Sequence, residues 1–292
     1  MRASLIQIGV DEGESVGSRR RRVASLIREQ SGADLVVLPE LWTTGAFAYQ
    51  EFAAEAEPLD GPTYEVMAKA ARDAGVWLHA GSIPERAASD SGSAAGDGPL
   101  YNTSLIFSPS GELAATYRKI HRFGFDKGEA VLMGAGSELV TVRLPGPATT
   151  HGLAATHGPA TTHGPATTLG VATCYDLRFP ELFRGLVDAG AEILVIPAGW
   201  PERRRSHWTL LAQARAVENQ AYVLACGTAG THAGVPQAGH SIVVDPWGEV
   251  LGEAGSGEEV LTVEFDPAKV AATREQFPAL KDRMLGLRPP GR

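Results

Sequence analysis

Cys174 closes the apolar run "LGVATC" and opens the polar, proline-broken "YDLRFPEL". A thiol at such a junction has two readings. Cysteine is among the most buried residue types, so one at a strand end often only packs. At the carboxyl edge of an open α/β sheet, however, ligands bind, and a thiol near turn N–H groups can ionise more easily and attack as a thiolate. The chain has one other cysteine, Cys226 in "VLACG", with no polar turn behind it, and that one reads as core.

Glu40 stands at the matching place in the first half, where "DLVVLPE" runs from an apolar strand through Pro39 into a carboxylate. It can be a general base with a raised pKa, or simply the cap of a following helix. Lys119, between "ELAATYR" and "IHRFG", is either a solvated charge or an ammonium that steadies a developing oxyanion. Spacing alone decides neither. His79, His121, His207, His232 and His240 are candidate partners for a catalytic thiol, but no pattern pairs one with Cys174. A G-x-S-x-G elbow and a glycine-rich phosphate loop are both missing, so no motif implies a nucleotide, flavin or metal.

The elements that must position these residues follow from periodicity. "SLIQIGV", "DLVVLPE" and "VWLHAGSI" are strand-like runs separated by helix-like "RRRRVASLIREQ" and "TYEVMAKAARDAG". This alternation predicts βαβ units. The turn Ser110-Gly111 predicts a hairpin, and with it a mixed sheet. A second pass repeats the pattern with "LGVATC", a helix over "ELFRGLVDAG" opened by Pro180 and closed before Gly190, and "EILVIPA". Trp208, Leu211, Ala212 and Ala216 give one helical apolar face, and Asp245, Pro246 and Gly248 mark a last hairpin.

Composition narrows the partners. A net charge of −8 argues against nucleic acid and anionic membrane, which need excess Lys and Arg, and leaves a small solute as the default. The basic run Arg19 to Arg22 is expected on a solvated helix face. No apolar stretch is long enough to span a bilayer, and acidic residues come too early for a usual signal peptide, so a cytoplasmic protein with reduced thiols is expected. The segment 147–168 is a six-residue Thr-His-Gly-rich repeat in which His151, His157 and His163 recur. Lacking apolar bulk and acidic or thiol ligands, it reads as an exposed loop insertion rather than a metal site.

With Glu40, Lys119 and Cys174 in that order, the chain resembles the nitrilase, or carbon–nitrogen hydrolase, superfamily. The resemblance rests on "VVLPELWTTG", "YRKIH" and "CYDLRFPEL" and covers nearly all of residues 1–292, which read as a single domain with the insertion at 147–168 and a C-terminal tail at 277–292. It implies a four-layer αββα sandwich with mixed sheets, a homodimer or higher homo-oligomer, and no cofactor. It also implies that Glu40 takes the thiol proton, Cys174 attacks an amide carbon to form a thioester, and Lys119 with the Tyr175 N–H holds the oxyanion. A second family glutamate matches Glu129, with Glu138 as the competing alignment. The "CYDLRFPEL" form resembles the Nit and ω-amidase branch, whose members cleave small carboxylate-bearing amides, more than true nitrilases. Arg178 and Trp200 would line such a pocket, though Arg178 can equally pair with a structural acid. The competing functions are an N-carbamoyl amidohydrolase, a nitrilase and a catalytically silent homologue that binds a small acid or a protein partner. In relatives the tail packs across a subunit interface, and Pro289 and Pro290 interrupt its end.

Overall fold

A computed structural model describes residues 1–11, 13–88, 98–146, 148–151, 160–163 and 166–286. The chain runs from β1 (Arg2–Gln7) and β2 (Gly9–Val10) through α1 (Val16–Arg28) to β3 (Leu35–Val37). A long loop carrying Glu40 leads to α2 (Pro62–Ala74), then β4 (Trp77–Arg86), β5 (Leu100–Phe107) and β6 (Leu113–Arg118). The single-turn α3 (Glu129–Leu132) and β7 (Thr141–Leu144) follow. Within the repeat, β8 (Ala148–His151) and β9 (Ala160–His163) pair antiparallel.

The second pass begins at β10 (Thr167–Val171), whose first two residues are the last two of the repetitive segment. A 3-10 turn at Cys174–Arg178 connects it to α4 (Pro180–Asp188) and β11 (Ile193–Ala198). A second 3-10 turn, Glu202–Arg204, opens α5 (Arg205–Asn219) before β12 (Tyr222–Gly227). The chain finishes with β13 (Ala229–His232), β14 (Val235–Pro236), β15 (Ile242–Val244), β16 (Val250–Glu253), β17 (Glu259–Glu264) and α6 (Ala268–Gln276).

Two six-stranded sheets result, in the orders β17-β1-β3-β4-β5-β6 and β16-β15-β12-β11-β10-β7. Each has three parallel strands at its centre, β1-β3-β4 and β10-β11-β12, and antiparallel strands outside them. The expected hairpins are β5-β6 and β15-β16. Strand alternation sorts side chains into layers, because successive residues face opposite sides. Leu5, Leu35, Val37, Val195, Leu224 and Cys226 pack between the sheets. Their neighbours Ile6, Val36, Leu78 and Leu105 meet Val23, Ile27, Met67 and Ala71 of α1 and α2. Likewise Leu194, Ile196 and Val223 meet Leu182, Phe183, Leu186, Trp208, Ala212 and Ala216 of α4 and α5. Each such large side chain contributes about 1.5–3 kcal/mol by leaving water, so the four-layer αββα order follows from the period-2 pattern.

The basic run does not form a solvated face. Arg19 is buried and donates to the carbonyl of Thr43 at 2.6 Å and to Glu14 at 3.2 Å. Arg20 meets Glu57, Arg22 meets Glu14 and Glu258, and only Arg21 is exposed. The expectation failed because groups distant in sequence lie against three of the four positions: the Thr43 carbonyl on Arg19, Glu57 on Arg20 and Glu258 on Arg22. In the C-terminal tail, the Phe277 carbonyl accepts from Gln220 and Arg283 pairs with Asp188, while Pro289 and Pro290 lie outside the described residues, as does His157 of the repeat. Among the described residues no helix is long and apolar enough to cross a membrane.

Candidate active site

Glu40 sits just past the carboxyl end of β3, and the backbone around it is fixed from β4. Leu38 N–H donates to the His79 carbonyl, Ser82 N–H to the Pro39 carbonyl, and Leu41 N–H to the Ser82 hydroxyl. Gly81 is needed for this approach: it has φ of 65°, and a Cβ there would lie 2.0 Å from the Pro39 carbonyl oxygen. Lys119 follows β6, held between the Asn102 carbonyl and the Gly136 N–H.

Cys174 follows β10 at a strained position, with φ of 48°. A non-glycine residue there costs about 1–3 kcal/mol and persists only when its surroundings fix it. Asp176 does the fixing. It accepts from Thr173 N–H at 2.8 Å, Tyr117 hydroxyl at 2.7 Å and His121 N–H at 3.0 Å, while fully buried. Tyr175 is the second residue of the turn, where N–H groups lack acceptors within the helix and can face an anion.

These elements bring four sequence-expected residues together in a buried cluster. The Lys119 ammonium donates to Glu40 Oε1 at 2.7 Å and to Glu129 Oε2 at 2.6 Å, all three side chains being at most 4% exposed. Glu129 begins α3, and its Oε2 also accepts from Phe123 N–H at 3.0 Å. Glu40 Oε2 accepts from Gly199 N–H at 2.8 Å, and the Gly199 carbonyl lies 3.7 Å from Cys174 Sγ. Gly199 has no room for a side chain, since a Cβ would sit 2.2 Å from that of Ala46. Glu138 is elsewhere: it is exposed and, among the described residues, accepts only from Ser137.

Electrostatics assign the resting protonation. Burial and then the Glu40 charge, joined by a hydrogen bond to Glu40, push the Cys174 pKa well above the ordinary thiol value, so the turn does not lower it as the sequence reading allowed. Burial pulls Lys119 down, but Glu129, Glu40 and Cys174 together outweigh it and hold the ammonium charged. Burial raises Glu129 against the opposing pull of Lys119. A neutral thiol beside a buried carboxylate and a fixed ammonium can do nucleophilic chemistry on a carbonyl: the carboxylate takes the proton at attack, and the ammonium meets the oxyanion.

Sequence reasoning missed Asn102. Its Nδ2 donates to Glu40 Oε1 at 2.8 Å and to Glu129 Oε1 at 2.5 Å, so one amide ties both carboxylates. Turning the amide over would set its oxygen against two carboxylates, so the orientation is forced. Its Oδ1 is buried without a partner. The available signal was an asparagine inside the strand-like "YNTSLIF", where that residue is disfavoured.

Phe47, Phe123, Tyr175 and Trp200 wall a narrow, largely apolar cavity at Cys174, and Arg178 and Arg204 also line it. Trp200 is buried and donates to the Arg204 carbonyl. Arg178 lies 5.0 Å over the Trp200 ring, and its Nη2 is 3.2 Å from His207 Nδ1. Among the described residues no histidine bonds Cys174. Cys226 lies between the sheets, its thiol directed to the Ile6 and Val37 carbonyls.

The family model described as carbon–nitrogen hydrolase matches residues 3–275. A 2-oxoglutaramate amidase of Paenarthrobacter nicotinovorans is 40% identical over 95% of this chain and 87% of its own. The omega-amidase of Mus musculus is 34% identical over 98% and 96%. A mutant amidase from Nesterenkonia sp. AN1, with the acetamide moiety of fluoroacetamide covalently added at its active-site cysteine, superposes with a TM-score of 0.75 at 25% identity, covering 97% of this chain and 94% of its own. The αββα fold, the matched length and these likenesses agree: the chain belongs to the carbon–nitrogen hydrolase family of the nitrilase superfamily, among its ω-amidase-like amidases.

Proposed function

We propose that this amidase hydrolyses a small carboxylate-bearing amide, of the kind represented by 2-oxoglutaramate, to the acid and ammonia through a thioester on Cys174. The observation that carries the reading is the buried Glu40–Lys119–Glu129 cluster beside a neutral thiol on a strained turn. Glu40 removes the Sγ proton as sulfur attacks the amide carbon. Lys119 and the Tyr175 N–H stabilise the oxyanion, and Glu129 holds Lys119 in place. Glu40 passes the proton to the departing nitrogen, ammonia leaves, and a water deprotonated by Glu40 then releases the acid and the free thiol. Trp200 and Arg178 line the substrate cavity.

The dimer belongs to the same proposal, supported by exposed Leu210 and Val217 on α5 and by the exposed Trp247–Phe277 pair.

Ammonia release from 2-oxoglutaramate, succinamate, glutamine, N-carbamoyl amino acids and simple nitriles tests the reading. Turnover of the first two, lost in Cys174→Ala, supports it. Equimolar carbon dioxide with ammonia from the carbamoyl compounds, and none from the amides, would replace it with the carbamoyl reaction.

A further inference from the structure

Gly199 touches both reacting groups: its N–H donates to Glu40 Oε2 at 2.8 Å, and its carbonyl lies 3.7 Å from Cys174 Sγ. Whatever fixes Gly199 therefore fixes the base against the nucleophile. Ala46, on the loop that follows Glu40, backs it so closely that a Cβ on Gly199 would lie 2.2 Å from the Ala46 Cβ. Ala46 is held in turn by His232 at the end of β13, its N–H donating to the buried ring's Nδ1 at 3.1 Å. Gly45 lies against the same ring, with φ of 96° and a would-be Cβ 3.1 Å from His232 Cγ. On the other side of Ala46, Phe47 walls the cavity at Cys174.

His232 stands on a fixed mount. Its strand pairs with β2, and past β14 the Ala238 N–H donates to the Trp200 carbonyl at 2.7 Å, so the hairpin is also tied to the residue after Gly199. Because Ala46 donates to it, Nδ1 carries no proton, and the neutral ring keeps its proton on Nε2. Burial and then the charge of Arg19 lower the ring's pKa to about 4, which leaves that acceptor available at neutral pH. We infer that His232 is a positioning residue for hydrolysis at Cys174: through Ala46 and Gly199 it sets where the Glu40 carboxylate stands relative to the thiol. Among the described residues it bonds neither Glu40 nor Cys174 itself. This role deepens the amidase reading above and rests on it.

The test compares His232→Leu, which removes the acceptor, with His232→Asn, whose Oδ1 branches from Cγ as Nδ1 does and can take the same N–H. A displaced base should lower kcat for the best amide about 10- to 100-fold in the leucine variant with KM within about threefold, while the asparagine variant stays within about fivefold of wild type. A carboxylate that loses the Gly199 N–H takes a proton more readily, so the acid limb of the kcat/KM profile should move up by about half a unit or more in the leucine variant alone. A role confined to stability would lower the urea midpoint without moving that limb. A readout free of turnover is alkylation of Cys174 by iodoacetamide at pH 7. The buried thiol needs Glu40 to take its proton, so alkylation should slow about fivefold or more in the leucine variant and not in the asparagine one. A folded leucine variant whose acid limb and alkylation rate match wild type, whatever its urea midpoint, or an asparagine variant no better than leucine, would overturn the inference. If the leucine variant does not fold, Gly45→Ala, which presses the loop away from an intact His232, decides by the same readouts. If wild type hydrolyses no amide yet alkylation still separates leucine from asparagine, the positioning role stands and the amidase reading falls.

Discussion

Replacing Asn102 by Leu removes both amide donors while nearly keeping the side-chain volume. Hydrogen bonds to charged groups are worth about 1.5–3 kcal/mol each, and this side chain makes two, to Glu40 at 2.8 Å and to Glu129 at 2.5 Å. The substitution also removes a buried acceptor, Oδ1, that has no partner, which returns about 1–3 kcal/mol. The net loss of about 2–3 kcal/mol falls on the geometry of Glu40, the proposed base, and of the carboxylate that anchors Lys119, so kcat/KM for the best amide should fall about 30- to 150-fold. Asn102→Asp makes a different prediction. Three carboxylates would then share one ammonium, one would keep its proton at neutral pH, and the acid limb of the kcat/KM profile should move up by about one unit or more. Ammonia release across pH 5–9, with circular dichroism to confirm folding, reads both. A folded Asn102→Leu variant within threefold of wild type, or an Asn102→Asp profile superimposable on the parent, would refute the reasoning that this amide organises the carboxylates.

Other consequences follow from the same geometry. Glu129→Gln should lower kcat about 100-fold through the loss of the Lys119 anchor, whereas exposed Glu138→Gln should stay within twofold; the reverse ranking in turnover would move the second glutamate. Arg19→Ala should destabilise by about 2–4 kcal/mol in urea unfolding, against under about 0.5 for Arg21→Ala, because only the former holds buried partners; equal midpoints would contradict this. His79 and His232 are buried with pKa values lowered to about 4, mainly by desolvation. The unfolded chain, with histidine near 6.5, binds more protons between pH 6.5 and 4, so stability falls as pH drops through that window. Going from pH 7 to pH 5 should cost about 2 kcal/mol per histidine, and equal urea midpoints at the two pH values would refute the assignment.

Much of this arrangement was legible in the sequence because it is local. Runs of period 2 with proline and glycine boundaries located the strands that end at Glu40 and Cys174, and turn residues located both hairpins. What escaped depends on contacts across long separations. Asn102 becomes a tie between Glu40 and Glu129 only once β5 lies beside the end of β6, and "YNTSLIF" alone suggests no such partners. Arg19 looks solvated until the Thr43 carbonyl closes over it. The thiol departs from the expectation for the same reason: the turn at Cys174 suggests easier ionisation, but burial and then the charge of Glu40, distant in sequence, oppose it. Arg204 belongs to the basic "RRR" of "ERRRSHW", where nothing marks one arginine as facing the cavity.

In the proposed mechanism the acyl group of the amide is transferred to Cys174. The direct measurement is peptide mass mapping of enzyme quenched in acid within one turnover of its best amide, alongside the ammonia burst. An acyl group should appear on the Cys174 peptide alone, stoichiometric with the burst and missing in Cys174→Ala, which should release no ammonia. An acyl group on another residue, or undiminished ammonia release by Cys174→Ala, would contradict it.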